Sequence, residues 1–109
     1  MKQQTQRKIN EALRHIRHSN KSGSHVNCIR LNYSAADKHN DEIIRRCVEY
    51  LKTGVSFITE AHFIHGGRAD LINLATKEII EICNTETEIR FKEKIKSYPD
   101  IFTIRKIRI

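Results

Sequence analysis

Between Ser56 and Asn84 the chain carries three short apolar runs with two acids inside them. The runs are 56–63, 70–74 and 78–84, rich in β-branched residues and separated by Ile64-His-Gly-Gly-Arg68 and Ala75-Thr-Lys77. That is the pattern of consecutive strands joined by hairpins. The second run opens on Asp70, and the third holds Glu81 between Ile80 and Ile82. A carboxylate inside a buried strand is costly unless a partner pairs with it or a cation is coordinated by it.

Side chains alternate along the third run, so Ile79, Glu81 and Cys83 share one face and Ile80 and Ile82 the other. If the last two runs pair through a turn symmetric about Thr76, Asp70 falls close to Ile82, beside Glu81 and Cys83. Two carboxylates on adjacent strands at a sheet rim can hold Mg²⁺, which takes oxygen ligands and keeps several waters. One such water, with its pKa lowered, is a nucleophile for a phosphodiester. The plainer readings are a turn role for Asp70, satisfying loop amides, and an exposed edge position for Glu81. Glu60 is either an ion-pair partner of Arg68 or a further metal or water ligand. Arg68 is either that partner or a phosphate clamp, its guanidinium suited to bidentate contact.

The flanking segments alternate between helix and strand. Ile9, Ala12, Leu13 and Ile16 form one stripe and predict a helix from about Thr5 to His18, with Arg7, Lys8, Arg14 and Arg17 largely off it. Asn20-Lys-Ser-Gly-Ser24 reads as a linker, and Val26 to Tyr33 as an extended piece. A second helix starts near Asp37 or Asn40, sets Ile43, Ile44, Cys47, Val48 and Leu51 on an apolar face, and stops at Lys52-Thr-Gly54. After the strands, Thr85-Glu-Thr-Glu88 reads as a capping box opening a third helix. Its buried side is Ile89, Phe91, Ile95 and Tyr98, and Pro99 stops it. The last run, 101–109, predicts a strand with one wet, basic face. The expected fold is α/β with a mixed sheet, the third helix crossing between strands that lie parallel. Residues 1–36 form a basic helix and linker, and 37–109 the core of what is one globular domain overall.

Charge points to the partner. Residues 1–34 hold seven basic side chains (Lys2, Arg7, Lys8, Arg14, Arg17, Lys21 and Arg30) against Glu11 alone, and 101–109 add Arg105, Lys106 and Arg108 without an acid. Basic ends on a weakly acidic centre attract a polyanion, of which nucleic acid is the commonest. No run approaches the length of a membrane span, and the first residues lack an apolar secretory stretch, so a cytoplasmic protein with no membrane partner is expected. Cys28, Cys47 and Cys83 are odd in number and far apart, which suits reduced thiols. His15 with His18, and His62 with His65, have the spacing of zinc half-sites, but no Cys-x-x-Cys completes them. No phosphate loop of the GxxxxGK type is present, which argues against a nucleoside triphosphatase.

With Gly67-Arg-Ala-Asp70 eleven residues before Glu81-Ile-Cys83, and helix, three strands, helix, strand around them, residues 39–109 resemble the PD-(D/E)XK nuclease superfamily. The likeness is nearest to archaeal Holliday-junction-resolvase-like and other small restriction-endonuclease-like proteins. It implies a restriction-endonuclease-like αβββαβ core and a Mg²⁺- or Mn²⁺-dependent DNA endonuclease that works as a homodimer, branched DNA being one conceivable substrate. It puts Asp70 and Glu81 at the metal-binding acids and Glu42, or else Glu49, at the acid of the first core helix. Glu60 joins them as a further candidate. Cys83 stands where the superfamily has a lysine, and a thiol cannot supply its fixed charge. Three readings follow: Lys92 or Lys94 reaches in from the next helix, the enzyme runs slowly on metal alone, or the domain binds nucleic acid without catalysis. Lys2, Arg7, Lys8, Arg14, Arg17, Lys21 and Arg68 are the expected phosphate contacts.

Overall fold

The computed structural model describes residues 2–17 and 25–109, with side chains from Thr5 onward. Helices α1 (Lys2–Leu13) and α2 (Asp37–Thr53) precede strands β1 (Phe57–His62), β2 (Arg68–Asn73) and β3 (Glu78–Cys83); α3 (Glu88–Ile95) and β4 (Thr103–Arg108) follow. The strands form one sheet in the order β1-β2-β3-β4. The first three pair antiparallel through short turns, and β4 lies parallel to β3. A parallel partner cannot be reached through a tight turn, so the chain crosses over by way of α3.

Both faces of this mixed α/β sheet are covered. On one side Ala12 and Ile16 pack against Ile58, Ile72, Ile79 and Phe63, with Tyr98 and Phe102 closing the end. On the other, Ile43 and Cys47 of α2 pack against Phe57, Leu71, Ile80 and Ile82. Strands covered on both faces read as continuous apolar runs, which explains Ile79-Ile80 and Leu71-Ile72.

Several boundaries differ from the sequence expectation. The first helix ends at Leu13, after which Ile16 bridges to Phe63; His18 lies outside the described residues. Val26–Tyr33 is not a strand. It runs irregularly along the β1 edge, where Asn27 N–H donates to Phe57 O and Arg30 N–H to Thr59 Oγ1. The cap of α3 is Thr87, whose hydroxyl accepts from Arg90 N–H, rather than Thr85. Ile89 is exposed, so the buried side of α3 is carried by Phe91. On α2 only Ile43 and Cys47 are buried, whereas Ile44, Val48 and Leu51 are 38%, 37% and 51% exposed. In β4 no face is purely basic, because Ile104 packs into the α1-side core and Ile107 into the α2-side core.

One glycine is fixed by close approach. Gly67 has φ +91°, and a Cβ there would meet Ser97 Oγ at 2.8 Å and the Tyr98 ring at 3.2 Å. Gly66 has φ +105° but open space around it. Gly67→Ala should therefore destabilise by about 1–3 kcal/mol, from the backbone penalty plus the clash. Gly66→Ala should cost less, and the two melting temperatures check the order.

Candidate functional site

The β2–β3 ladder runs from Asn73 opposite Glu78 to Leu71 opposite Ile80. The next pair in that register is Asp70 and Glu81, and there the strands fork. Asp70 N–H donates to Glu81 Oε2 at 2.9 Å, and Ile82 N–H donates to Asp70 Oδ2 at 2.9 Å. Two side-chain carboxylates thus take the place of backbone carbonyls as acceptors, while Glu81 keeps its position opposite Lys106 of β4. The register is one step off a turn symmetric about Thr76. Asn73 Oδ1 accepts from Ala75 N–H and Thr76 N–H, and Lys77 takes φ +60°, which makes the turn asymmetric. On the other flank, Glu60 occupies the β1 position between Thr59, opposite Leu71, and Ala61, opposite Ala69. Its φ of +50° breaks the alternation, so Ile58 and Ala61 both reach the α1-side core. Glu60, Asp70, Glu81 and Lys106 consequently form one row across the sheet.

Two cationic groups meet the acids. Lys94 of α3 brings Nζ to 2.7 Å from Glu81 Oε1, and His39 of α2 brings Nε2 to 3.4 Å from Asp70 Oδ2. Glu81 is 0% exposed. Burial and the neighbouring Asp70 charge push its carboxyl up to about 7, against the pull of Lys94 and the Asp70 amide. Burial also acts to raise Asp70, but His39, Lys94 and the Ile82 amide outweigh it and hold Asp70 below its ordinary value. Burial would lower Lys94, yet Glu81 and Asp70 keep its ammonium above the usual lysine range. His39 stands above its ordinary 6.5, chiefly through its bond to Asp70. The fork therefore combines an Asp70 that keeps its charge, a Glu81 that holds its proton more tightly than usual, and a lysine and a histidine whose protons are held by the acids.

Among the described residues, the buried side-chain polar atoms without a hydrogen-bond partner are His39 Nδ1, Asn40 Oδ1 and Glu81 Oε1. Lys94 Nζ stands 2.7 Å from the last of these, so an ammonium charge meets that oxygen. Buried polar atoms left unpaired are uncommon and mark places where a water, ion or ligand belongs. The fork offers hard oxygens, which suit Mg²⁺ or Mn²⁺ rather than a thiophilic metal. The residues fit such an ion in kind, through Asp70 and Glu81 Oε1. No group of three or more His, Cys, Asp or Glu side chains among the described residues is arranged to hold a metal.

The remaining expected residues are dispersed. Glu42 is occupied by Arg45 and by Arg46, whose Nε lies 2.8 Å from its Oε2, so the helix-borne neighbour of Asp70 is His39 instead. Glu49, the alternative helix acid, is exposed on α2. Glu60 faces Arg68 at 3.7 Å; burial, partly countered by Arg68, raises its carboxyl. Lys92 is exposed on α3, and Lys94 is the lysine that turns in. Cys83 is buried with its thiol pushed up to about 11, chiefly by burial and by Glu86, so it is no nucleophile at neutral pH. Arg7 and Arg14 line a shallow depression of about 220 Å³ on α1 with Asn10 and Glu11, and Lys8 is exposed beside them. Lys21 and the side chain of Lys2 lie outside the described residues.

Sequence reasoning named Arg17 and Arg68 separately but missed that they meet, with Arg30, at the end of β1. Arg17 N–H donates to His62 O at 2.8 Å, Arg68 is the cross-strand partner of His62, and Arg30 is held three strand positions away at Thr59 and by His25, 3.4 Å from its Nη1. Burial, then Arg68, Arg17 and Arg30, lower the His62 imidazole. No sequence spacing links residues 17, 30 and 68; only the sheet edge does. His65 parts from His62 and lines a separate cavity of about 310 Å³ with His15, Phe63 and Asp100. In comparisons with protein-family models, curated proteins and solved structures, nothing matches this chain.

Two outcomes follow from the fork. Glu81 binds its proton more tightly folded than unfolded, so its stabilising share is present at acid pH and lost as pH climbs from 4.5 to about 7. His39, also raised, acts in the same sense above 6.5. Urea unfolding should show stability falling between about pH 5 and 8, by at most about 3 kcal/mol for Glu81, and Glu81→Gln should flatten that slope. Lys94→Met should cost about 3–5 kcal/mol at pH 8, because it strands a buried carboxylate, and Glu81→Gln added to it should recover much of the loss.

Proposed function

We propose that this chain is a metal-dependent endonuclease that hydrolyses phosphodiester bonds in DNA. What carries the reading is the buried acid pair at one strand fork, met by a lysine from one helix and a histidine from another. Sites of proton transfer and metal binding gather perturbed groups of this kind. Asp70 and Glu81 would hold Mg²⁺ or Mn²⁺, whose bound water would be the nucleophile. Lys94 supplies, from the following helix, the cation that Cys83 cannot, and stands where it can stabilise charge on a phosphate oxygen. His39 orients Asp70, whose charge holds the imidazole proton more tightly than usual. Glu60 sets the near end of the acid row.

A second reading is a nucleic-acid-binding domain without catalysis. It is favoured by the 2.7 Å ion pair, since a Lys94 that never releases Glu81 leaves the carboxylate compensated and idle. The homodimer implied by the resemblance belongs to the proposal as well. The exposed stripe Ile44, Val48 and Leu51 could pair antiparallel with its own copy.

Supercoiled plasmid incubated with Mn²⁺, and separately with EDTA, tests the activity. Nicking should need the metal and fall at least about 100-fold in Asp70→Asn and in Lys94→Met, given that a single electrostatic donor is worth about 10²–10³ in rate. Nicking that persists in Asp70→Asn comes from a contaminant and removes the proposal; binding without nicking leaves the second reading.

A further inference from the structure

We infer that Arg17, Arg30 and Arg68 form a composite phosphate grip along the β1 edge, which holds a DNA backbone beside the acid row. The inference rests on the proposed function for the identity of its ligand and adds where the strand lies. Its basis is convergence. Three arginines from distant parts of the chain are brought to one edge, each by a specific backbone or side-chain contact. The segment 15–17 caps the far end of β1: Arg17 N–H donates to His62 O, and Ile64 N–H donates to His15 O at 2.9 Å. The segment 27–30 caps the near end, where the Thr59 hydroxyl donates to Cys28 O and accepts from Arg30 N–H. Between these two caps lie Glu60, half-buried, and Ala61, buried.

Two of the three guanidinium groups have an orienting side-chain contact. His25 Nδ1 lies 3.4 Å from Arg30 Nη1, and Glu60 holds Arg68 only at 3.7 Å, with the Arg68 side chain 46% exposed. Arg17 is exposed. All three charges act on the His62 imidazole, which burial and they together hold below its ordinary value. From Thr59 to His62 the edge spans about 10 Å at the usual strand rise of about 3.3 Å. That matches the axial rise of about three nucleotides, since each strand of a duplex carries one charge per about 3.4 Å. Arginine also presents planar forks that match phosphate oxygens two at a time. Across the sheet end, Glu60 stands opposite Asp70, one strand from Glu81 and Lys94, so a backbone lying on the arginines continues directly toward the fork.

The test measures binding, not cleavage. Fluorescence anisotropy of a fluorescein-labelled 20-bp DNA duplex is followed in EDTA across a salt series, for the full chain and for Arg17→Gln, Arg30→Gln, Arg68→Gln and the control Lys52→Gln. Each arginine variant should bind about 5–10-fold more weakly and lower the log–log salt slope by about 0.9, while Lys52→Gln stays within twofold with its slope unchanged. An arginine variant that lowers the melting temperature is replaced by its lysine counterpart, which keeps the charge and should restore the salt slope but not the full affinity. Arginine variants that lose no more than Lys52→Gln overturn the grip. Competition by polyglutamate that matches the duplex charge for charge, through the same arginines, overturns the DNA assignment in favour of an acidic protein. Because no metal is present, failed cleavage leaves this result standing, and lost binding with cleavage kept removes the strand placement alone.

Discussion

Everything in the site depends on one exchange at the end of the β2–β3 ladder. Two backbone amides that would ordinarily meet carbonyl oxygens meet carboxylates instead. Hydrogen bonds to a charged acceptor are stronger than those of a neutral ladder, and this offsets part of the cost of taking the acids out of water. The exchange also opens the strands. A gap appears beyond Leu71 and Ile80 into which a lysine from one side and a histidine from the other can reach. The acids are at once the reason the sheet forks and the reason the fork needs cations.

The two acids are not equivalent. Asp70 accepts from His39 and the Ile82 amide and remains charged, whereas Glu81, fully enclosed and next to that charge, is the one that yields. Pairs of carboxylates whose environments drive their proton affinities apart are the usual basis for dividing acid and base roles within one site. Here the division follows from the geometry of the fork: Asp70 sits at the strand opening, and Glu81 sits between β2 and a still-paired β4.

Much of the architecture was legible in the sequence. The three strands, the crossover helix and the parallel last strand follow from apolar runs and turn residues, and the adjacency of Asp70 and Glu81 follows from a hairpin about Ala75-Thr76-Lys77. The one-step register difference comes from Asn73, whose side chain caps the turn, a tertiary detail that pattern alone does not carry. Lys94 was one of two lysines the spacing allowed, and burial chose it over Lys92. His39 was obscured by Glu42, whose charge drew attention although Arg45 and Arg46, three and four residues along the same helix, already answer it. The arginine grouping left no linear trace at all, because Arg17 and Arg30 are positioned by capping β1 rather than by belonging to any regular element.

The fork's own parts, Asp70, Glu81 and Lys94, come from one continuous stretch of chain, two strands and the helix that follows them. The arginines come from three separate places, two of them in segments fastened to the sheet border by a few bonds each. Borders of that kind fray before central strands open. Warming or mild denaturant would then loosen the arginine border while leaving the acid pair assembled, so this end of the sheet would come apart from its rim inward.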